Sequence, residues 1–328
     1  MIINTQNKIV LSDNIFVIQI NMKEKNGGSR QTRGILDAII SSSSFGFSPF
    51  FSVSLLALGL GTMDVLSYRW GVAALALCII AAAGKKSLKV TGREFGKIFL
   101  LSIFRALTSF TLLIGYANIA SGVASTIHFT YPVIVAFCMM FIFGEKKSPV
   151  IIVAIILSVV GAYCLAEGDT AEVAGGDKTK GIIASAASVL CYAGYVILLR
   201  KTGADRIEST KLTIYVLGLS AVYFIIAGSI AGGIKIVTEP AGWLYILGIS
   251  LVCTMVSNFF LVNAVKNAGP TLASVFGALE PLTAVLTGVL FLNERLSAVN
   301  VAGILLILGT VTIVVVHQKA QKNAYSRP

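Results

Sequence analysis

Between Gly34 and His317 the chain is divided by short polar connections into stretches that are almost wholly apolar and each about twenty residues long. They run over 34–57, 62–83, 95–115, 119–143, 149–166, 181–200, 211–234, 241–264, 269–292 and 298–317. At a rise of 1.5 Å per residue, ~20 residues reach across a ~30 Å hydrocarbon layer, whereas the core strands of a water-soluble domain are far shorter. Lipid offers unpaired backbone groups no water, so each stretch must close its own hydrogen bonds as a helix, and the alternating pattern of a barrel strand is absent. The composition agrees: 56% of residues are apolar, 12% are charged and the mean hydropathy is +0.86. That is about half the charge a soluble domain carries. The expected fold class is an all-α integral membrane protein with ten transmembrane helices.

The net charge of +11 does not point to nucleic acid, because the basic residues lie in small clusters between apolar runs and form no face interleaved with aromatics. They read as orientation signals. With the N-terminus inside, the cytoplasmic segments hold 20 of the 26 Lys and Arg, the opposite face holds Lys178, Lys180, Lys235 and Arg295, and Arg69 and Arg105 lie within spans. This bias predicts cytoplasmic termini on a multi-pass protein of a bacterial inner (cytoplasmic) membrane type, with membrane lipid as its surroundings. Cys78, Cys138, Cys164, Cys191 and Cys253 all fall in apolar runs without CxxC spacing or a histidine partner, so no disulfide framework, metal site or cofactor is expected. Residues 1–33 form a polar leader, expected to be disordered, without the h-region of a signal peptide, and Met22 is an alternative start to Met1.

The chain repeats itself at an offset of 149 residues. Asn118, Ala124, Ser125, Pro132, Glu145, Ser148 and Val150 superpose without a gap on Asn267, Ala273, Ser274, Pro281, Glu294, Ser297 and Val299. The offset spans five helices, an odd number, so the halves enter the membrane with opposite polarity. The expected architecture is a five-plus-five inverted repeat, an arrangement that lets two halves exchange conformations around a site at their interface. The expected division is 34–167 for the first repeat, 168–180 for an extracytoplasmic linker, 181–317 for the second repeat and 318–328 for a cytoplasmic tail.

The segments "ASTIHFTYPVIVAFCMMFIFGEKKS" and "LASVFGALEPLTAVLTGVLFLNERLS" resemble the two EamA repeats of the drug/metabolite transporter superfamily. Their openings, "GILDAIISSSSFGF" and "GIIASAASVLCYAG", agree at Gly34 and Gly181, Ser41 and Ser188, and Phe45 and Tyr192, and "RWGVAALAL" resembles the family's arginine in span two. Phe45 stands where the first repeat commonly has tryptophan, and Pro49 follows it. The resemblance covers essentially 34–317 and implies a ten-helix carrier, often an exporter of small metabolites.

Several residues inside the spans are candidates for that work. Pro132 and Pro281, related by the repeat, each deprive the carbonyl four residues back of its donor, and are expected to act as hinges. Glu280, just before Pro281, stands at the centre of its span. At that depth a carboxylate costs at least ~2.5–3.5 kcal/mol, so it should have a partner or carry a coupling proton. Arg105 is about eight residues, roughly 12 Å, into span three, too deep to reach water easily, and either lines the cavity or pairs with Glu280. Arg69 either reaches the outer interface or joins Arg105 in binding a carboxylate or phosphate. His128 and Tyr131 are either packing residues or a relay beside the carbonyl that Pro132 frees, and Tyr192, Tyr195 and Asn258 are further in-span polar groups. Glu145 and Glu294 are expected to hold helix ends, and Gly228-x3-Gly232 and Ala273-x3-Gly277 to let helices approach.

No phosphate-binding loop, metal cluster or catalytic pair appears in the sequence, so an enzyme is not expected. The expected function is secondary-active export of an amino-acid-like or amphipathic small molecule by alternating access. Exchange of an anionic or phosphorylated metabolite is the alternative, and a channel or membrane enzyme a remote one.

Overall fold

A computed structural model describes residues 30–119, 121–144, 148–166, 175–277, 279–292, 298–299, 301–303, 305–306, 308–310 and 312–313. Regular structure among them is entirely helical. The helices are α1 (Arg30–Ala57), α2 (Thr62–Ala83), α3 (Gly92–Asn118), α4 (Ser121–His128), α5 (Tyr131–Ile142), α6 (Pro149–Ala166), α7 (Lys178–Lys201), α8 (Ser209–Ile230), α9 (Pro240–Ala268), α10 (Pro270–Phe276) and α11 (Leu279–Leu292), with further helical residues through 298–313. Six of them, α1, α2, α3, α7, α8 and α9, are long and apolar enough to cross a membrane, and shorter apolar helices accompany them. The leader up to residue 29, most of the linker, Glu145, Glu294 and the tail lie outside the described residues.

Local chemistry sets where helices begin. Thr91 and Glu94 form a reciprocal capping box at the start of α3: the Glu94 N–H donates to Thr91 Oγ1 at 3.3 Å and the Thr91 N–H to Glu94 Oε2 at 2.9 Å. The Lys180 N–H donates to Asp177 Oδ1 at 3.0 Å, opening α7. Asp64 does two jobs, accepting the Gly61 N–H at 2.8 Å to cap α2 and the Lys235 N–H at 2.9 Å to tie that end to the segment after α8. At the other end of the same pair, Lys86 reaches Glu208 at 3.3 Å and Thr210 at 2.6 Å, and Lys211 reaches Glu94 at 3.1 Å. Thus α2 and α8 pack antiparallel. Partial burial pushes the Glu208 carboxyl up, but the Lys211 and Thr210 N–H groups and Lys86 outweigh it and hold it below its ordinary range.

Spans four and nine differ from the expected kinked helices: each is broken into two pieces. After α4 the Thr130 N–H closes on Ile127 O at 3.0 Å, a tightened last turn, and Pro132 stands in the first turn of α5, where a missing donor costs nothing. After α10 the Gly277 N–H closes on Ser274 O at 3.1 Å, the Glu280 N–H takes Gly277 O at 2.9 Å, and Pro281 stands in the first turn of α11. The prolines therefore begin helices rather than bend them. Gly228 does sit close to α2, where a Cβ would lie 3.3 Å from Met63 Cβ. Gly232 does not share its face, because it follows the end of α8 with φ +122°.

The helices enclose a small cluster of buried apolar side chains around Met140, Ile155 and Leu272 and two large ones. One gathers Phe129, Tyr131, Tyr192, Tyr195, Leu199 and Val262. The other gathers Phe45, Leu66, Trp70, Leu113, Phe224 and Cys253. Helix α7 packs on α3, α4 and α5, α9 packs on α2, and the broken pairs meet through α5 with α10 and α4 with α11.

Candidate substrate site

Arg105, on α3, lies where the two large clusters meet. Its guanidinium carbon is 5.6 Å and 5.7 Å from the Phe45 and Trp70 ring centres on one side and 4.9 Å and 5.7 Å from those of Tyr192 and Tyr195 on the other. Rings offer a buried cation partial compensation without neutralising it. Arg105 Nε donates to Asn258 Oδ1 at 2.6 Å, while Nη1 and Nη2 have no hydrogen-bond partner among the described residues.

Arg69 is 3% exposed, so of its two expected roles the structure removes the interfacial one. Its Nε donates to Thr254 Oγ1 at 2.7 Å, its guanidinium carbon is 5.7 Å from the same Phe45 ring, and its Nη2 is unpartnered. Both acceptors come from α9, whose residues Gly248–Val256 wind as a π-helix. Thr254 Oγ1 donates to Ile249 O, five residues back, at 2.7 Å, and Asn258 Nδ2 donates to Thr254 O at 2.7 Å. Helical stretches of this wider pitch concentrate at functional sites.

His128 closes α4. Its Nδ1 lies 2.8 Å from Ser188 Oγ, its Nε2 is unpartnered, and its ring centre is 5.6 Å from that of Tyr131 and 5.2 Å from that of Tyr192. Tyr131 and Tyr192 meet edge to face at 4.5 Å. Tyr131 Oη donates to Glu280 Oε1 at 3.5 Å, at the long limit of a hydrogen bond. Glu280 itself is 7% exposed.

The structure therefore brings Arg69, Arg105, His128, Tyr131, Tyr192, Asn258 and Glu280 into one buried neighbourhood, with Pro132 and Pro281 at its helix breaks. It does not join Glu280 to Arg105. The ion pairs among the described residues are Lys86–Glu208, Arg200–Asp205 and Lys211–Glu94, and none includes either group. Within hydrogen-bond reach, Arg105 has Asn258 on its Nε and Glu280 has the Tyr131 hydroxyl. Trp70, Thr254 and Ser188 are parts of the site that sequence reasoning missed. Thr254 had a signal, since it lies 149 residues from Arg105 and so occupies the repeat position of an intramembrane arginine.

Chemically, the neighbourhood holds two guanidiniums anchored by neutral acceptors, one carboxylate outside any ion pair among the described residues, and a set of aromatic rings.

Comparison with known proteins places this site in context. The model of the EamA-like transporter family matches residues 32–166 and again 179–316. A Bacillus subtilis (strain 168) protein named "Uncharacterized transporter YvbV" is 24% identical over 251 residues, covering 76% of this chain and 81% of its own. An Archaeoglobus fulgidus protein named "Uncharacterized transporter" is 25% identical over 230 residues, covering 69% and 78%. A solved crystal structure shares the fold, with a TM-score of 0.71 at 14% identity, over 90% of this chain and 99% of the other.

Proposed function

The chain belongs to the EamA-like transporter family, and from that premise we propose that it is a secondary-active carrier exporting an amino-acid-like or amphipathic metabolite by alternating access. Membership makes it a multi-pass membrane transporter of small molecules. The mechanism we infer uses ten spans in two inverted halves, 34–167 and 181–317, joined by the 168–180 linker. The substrate contacts Arg69, Arg105, His128, Tyr131, Tyr192 and Asn258 between the halves. The breaks at Pro132 and Pro281 let the walls of the site move. Glu280 carries the coupling proton.

The observation that carries this reading is the meeting of repeat mates. Tyr131 and Glu280, in contact, are 149 residues apart, the offset of the repeat. Supporting it, α2 and its repeat mate α8 run antiparallel, as inverted halves require, and both helix breaks fall at matching places. Discontinuous helices at a repeat interface are where carriers of this kind hold substrate and coupling ion. The 20 Lys and Arg on one side support cytoplasmic termini in a bacterial inner membrane.

Exchange of an anionic or phosphorylated metabolite is the second reading, and a specific observation favours it: both guanidiniums keep unpartnered N–H groups and neither has a carboxylate in ion-pair range. Counterflow into proteoliposomes, screened over amino acids, nucleosides, sugars and organic phosphates, decides. Saturable exchange of an amino acid supports the first reading, and exchange of organic phosphates alone replaces it with the second. Flux that does not saturate and shows no counterflow would sink the carrier reading itself.

A further inference from the structure

The anchors of the two arginines are both neutral and both come from one stretch of α9. A guanidinium has two edges that can grip a planar two-oxygen anion, one through Nε and one through its terminal pair of nitrogens. In Arg105 the Nε edge is taken by the Asn258 amide oxygen, and in Arg69 by the Thr254 hydroxyl. What remains is the terminal edge of Arg105, both nitrogens buried and unpartnered, and Nη2 of Arg69, with both guanidiniums within 6 Å of the Phe45 ring.

Had carboxylates been the anchors, the charges would be spent and the site closed to anions. An amide and a hydroxyl fix orientation and leave the charge in place. Buried donors without partners are costly, and costlier when charged, so the arrangement is stable only if something completes it. Thr254 can hold Arg69 this way because the π-helical winding lets its own proton go to Ile249 O, leaving its lone pairs for Arg69 Nε.

We propose that the terminal N–H groups of Arg105, assisted by Arg69, are the seat of a substrate carboxylate, and that Thr254 is the positioning residue that gives this seat its selectivity. The proposal rests on the carrier reading for its physiological meaning and deepens it by assigning the substrate's charged group. The aromatic walls, Phe45, Trp70, Tyr192 and Tyr195, receive the apolar remainder.

The test uses the full-length purified protein and a matched trio of probes, phenylacetate, phenylacetamide and phenethylamine, which share a ring and differ in charge. Calorimetric titration and thermal shift should show phenylacetate binding at least about tenfold more tightly than either neutral amide or amine. Thr254→Val, close in shape but without the hydroxyl, should lose about tenfold in phenylacetate affinity and leave phenylacetamide unchanged, and Thr254→Ser should restore the preference. Equal binding of phenylacetate and phenylacetamide by the wild-type protein overturns the proposal without any variant, which covers the case in which Thr254→Val does not fold. Tighter binding of inorganic phosphate than of phenylacetate overturns the carboxylate assignment. A normal carboxylate preference in Thr254→Val removes the role of Thr254. Absence of counterflow with the preference intact would instead defeat the carrier reading alone.

Discussion

The segment 32–166 and the segment 179–316 are matched by the same family model, yet they furnish the central site with opposite chemistry. The first supplies the cations, Arg69 and Arg105, with His128 and Tyr131. The second supplies the neutral acceptors Thr254 and Asn258, the carboxylate Glu280 and the ring of Tyr192. Repeat mates make the contrast sharp: Arg105 corresponds to Thr254, Tyr131 to Glu280 and His128 to Gly277. What the two segments share is the frame, in prolines that begin half-helices and an Asn at the end of the third helix of each. What differs is the lining. The shared frame thus carries unlike side chains in its two segments.

If that contrast is what the site works with, removing the first segment's charge should have the largest effect. Arg105→Gln keeps a donor within reach of Asn258 but abolishes the charge, and should reduce counterflow by about a hundredfold or more, the order of two lost charge-assisted hydrogen bonds. Flux near wild type, in protein shown monodisperse by size exclusion, would break the contrast at its strongest point.

Neutralising the second segment's contribution sharpens the comparison. Glu280→Gln should abolish flux driven by a pH gradient while leaving exchange at equal pH largely intact, since an amide occupies the same space and cannot titrate. Normal pH-driven flux in this variant would detach the carboxylate from coupling.

Next comes packing between the two breaks. Gly277 lies against Tyr131 so closely that an added Cβ would meet the Tyr131 hydroxyl and come within 2.8 Å of Ser274 O. Gly277→Ala should destabilise by about 1–3 kcal/mol, read as a lower melting temperature, and Tyr131→Phe in the same chain should return part of it. An unchanged melting temperature would mean that Gly277 and Tyr131 are not in firm contact. The smallest effect is expected from Pro132→Ala and Pro281→Ala. Each proline stands in a first turn, so the folded yield should hold while transport slows severalfold. Unaltered rates in both single variants and the double variant would leave the shared breaks without a dynamic role.

Most of the frame was legible because its causes are local. Thr91 and Glu94, Asp177, Pro149 and Pro240 mark helix starts within a few residues of themselves, and apolar length marked the long helices. The site was legible as a set of residue types and not as a set of partners. Depth along its own helix leaves Arg69 open to an interfacial role, whereas its acceptor, Thr254, is 185 residues away in sequence. Charge alone offers Arg105 as a partner for Glu280 and does not reveal Asn258 on its Nε or Tyr131 beside the carboxylate. The π-helical winding of Gly248–Val256, which aims Thr254, leaves no mark in an apolar run.

The link between Arg105 and Asn258 spans 153 residues, which ties it to the order of synthesis. A ribosome making about 5–20 residues per second exposes the arginine roughly 8–30 seconds before its acceptor exists. Phe45 and Trp70 are made before Arg105, Tyr192 and Tyr195 follow it by 87 and 90 residues, and Asn258 comes last. A lone arginine at a helix centre costs about 2.5–3.5 kcal/mol on insertion scales. α3 carries that cost without its Asn258 acceptor until the second segment is made. Arg105, made with the first segment, thus receives its hydrogen-bond acceptor only from the second.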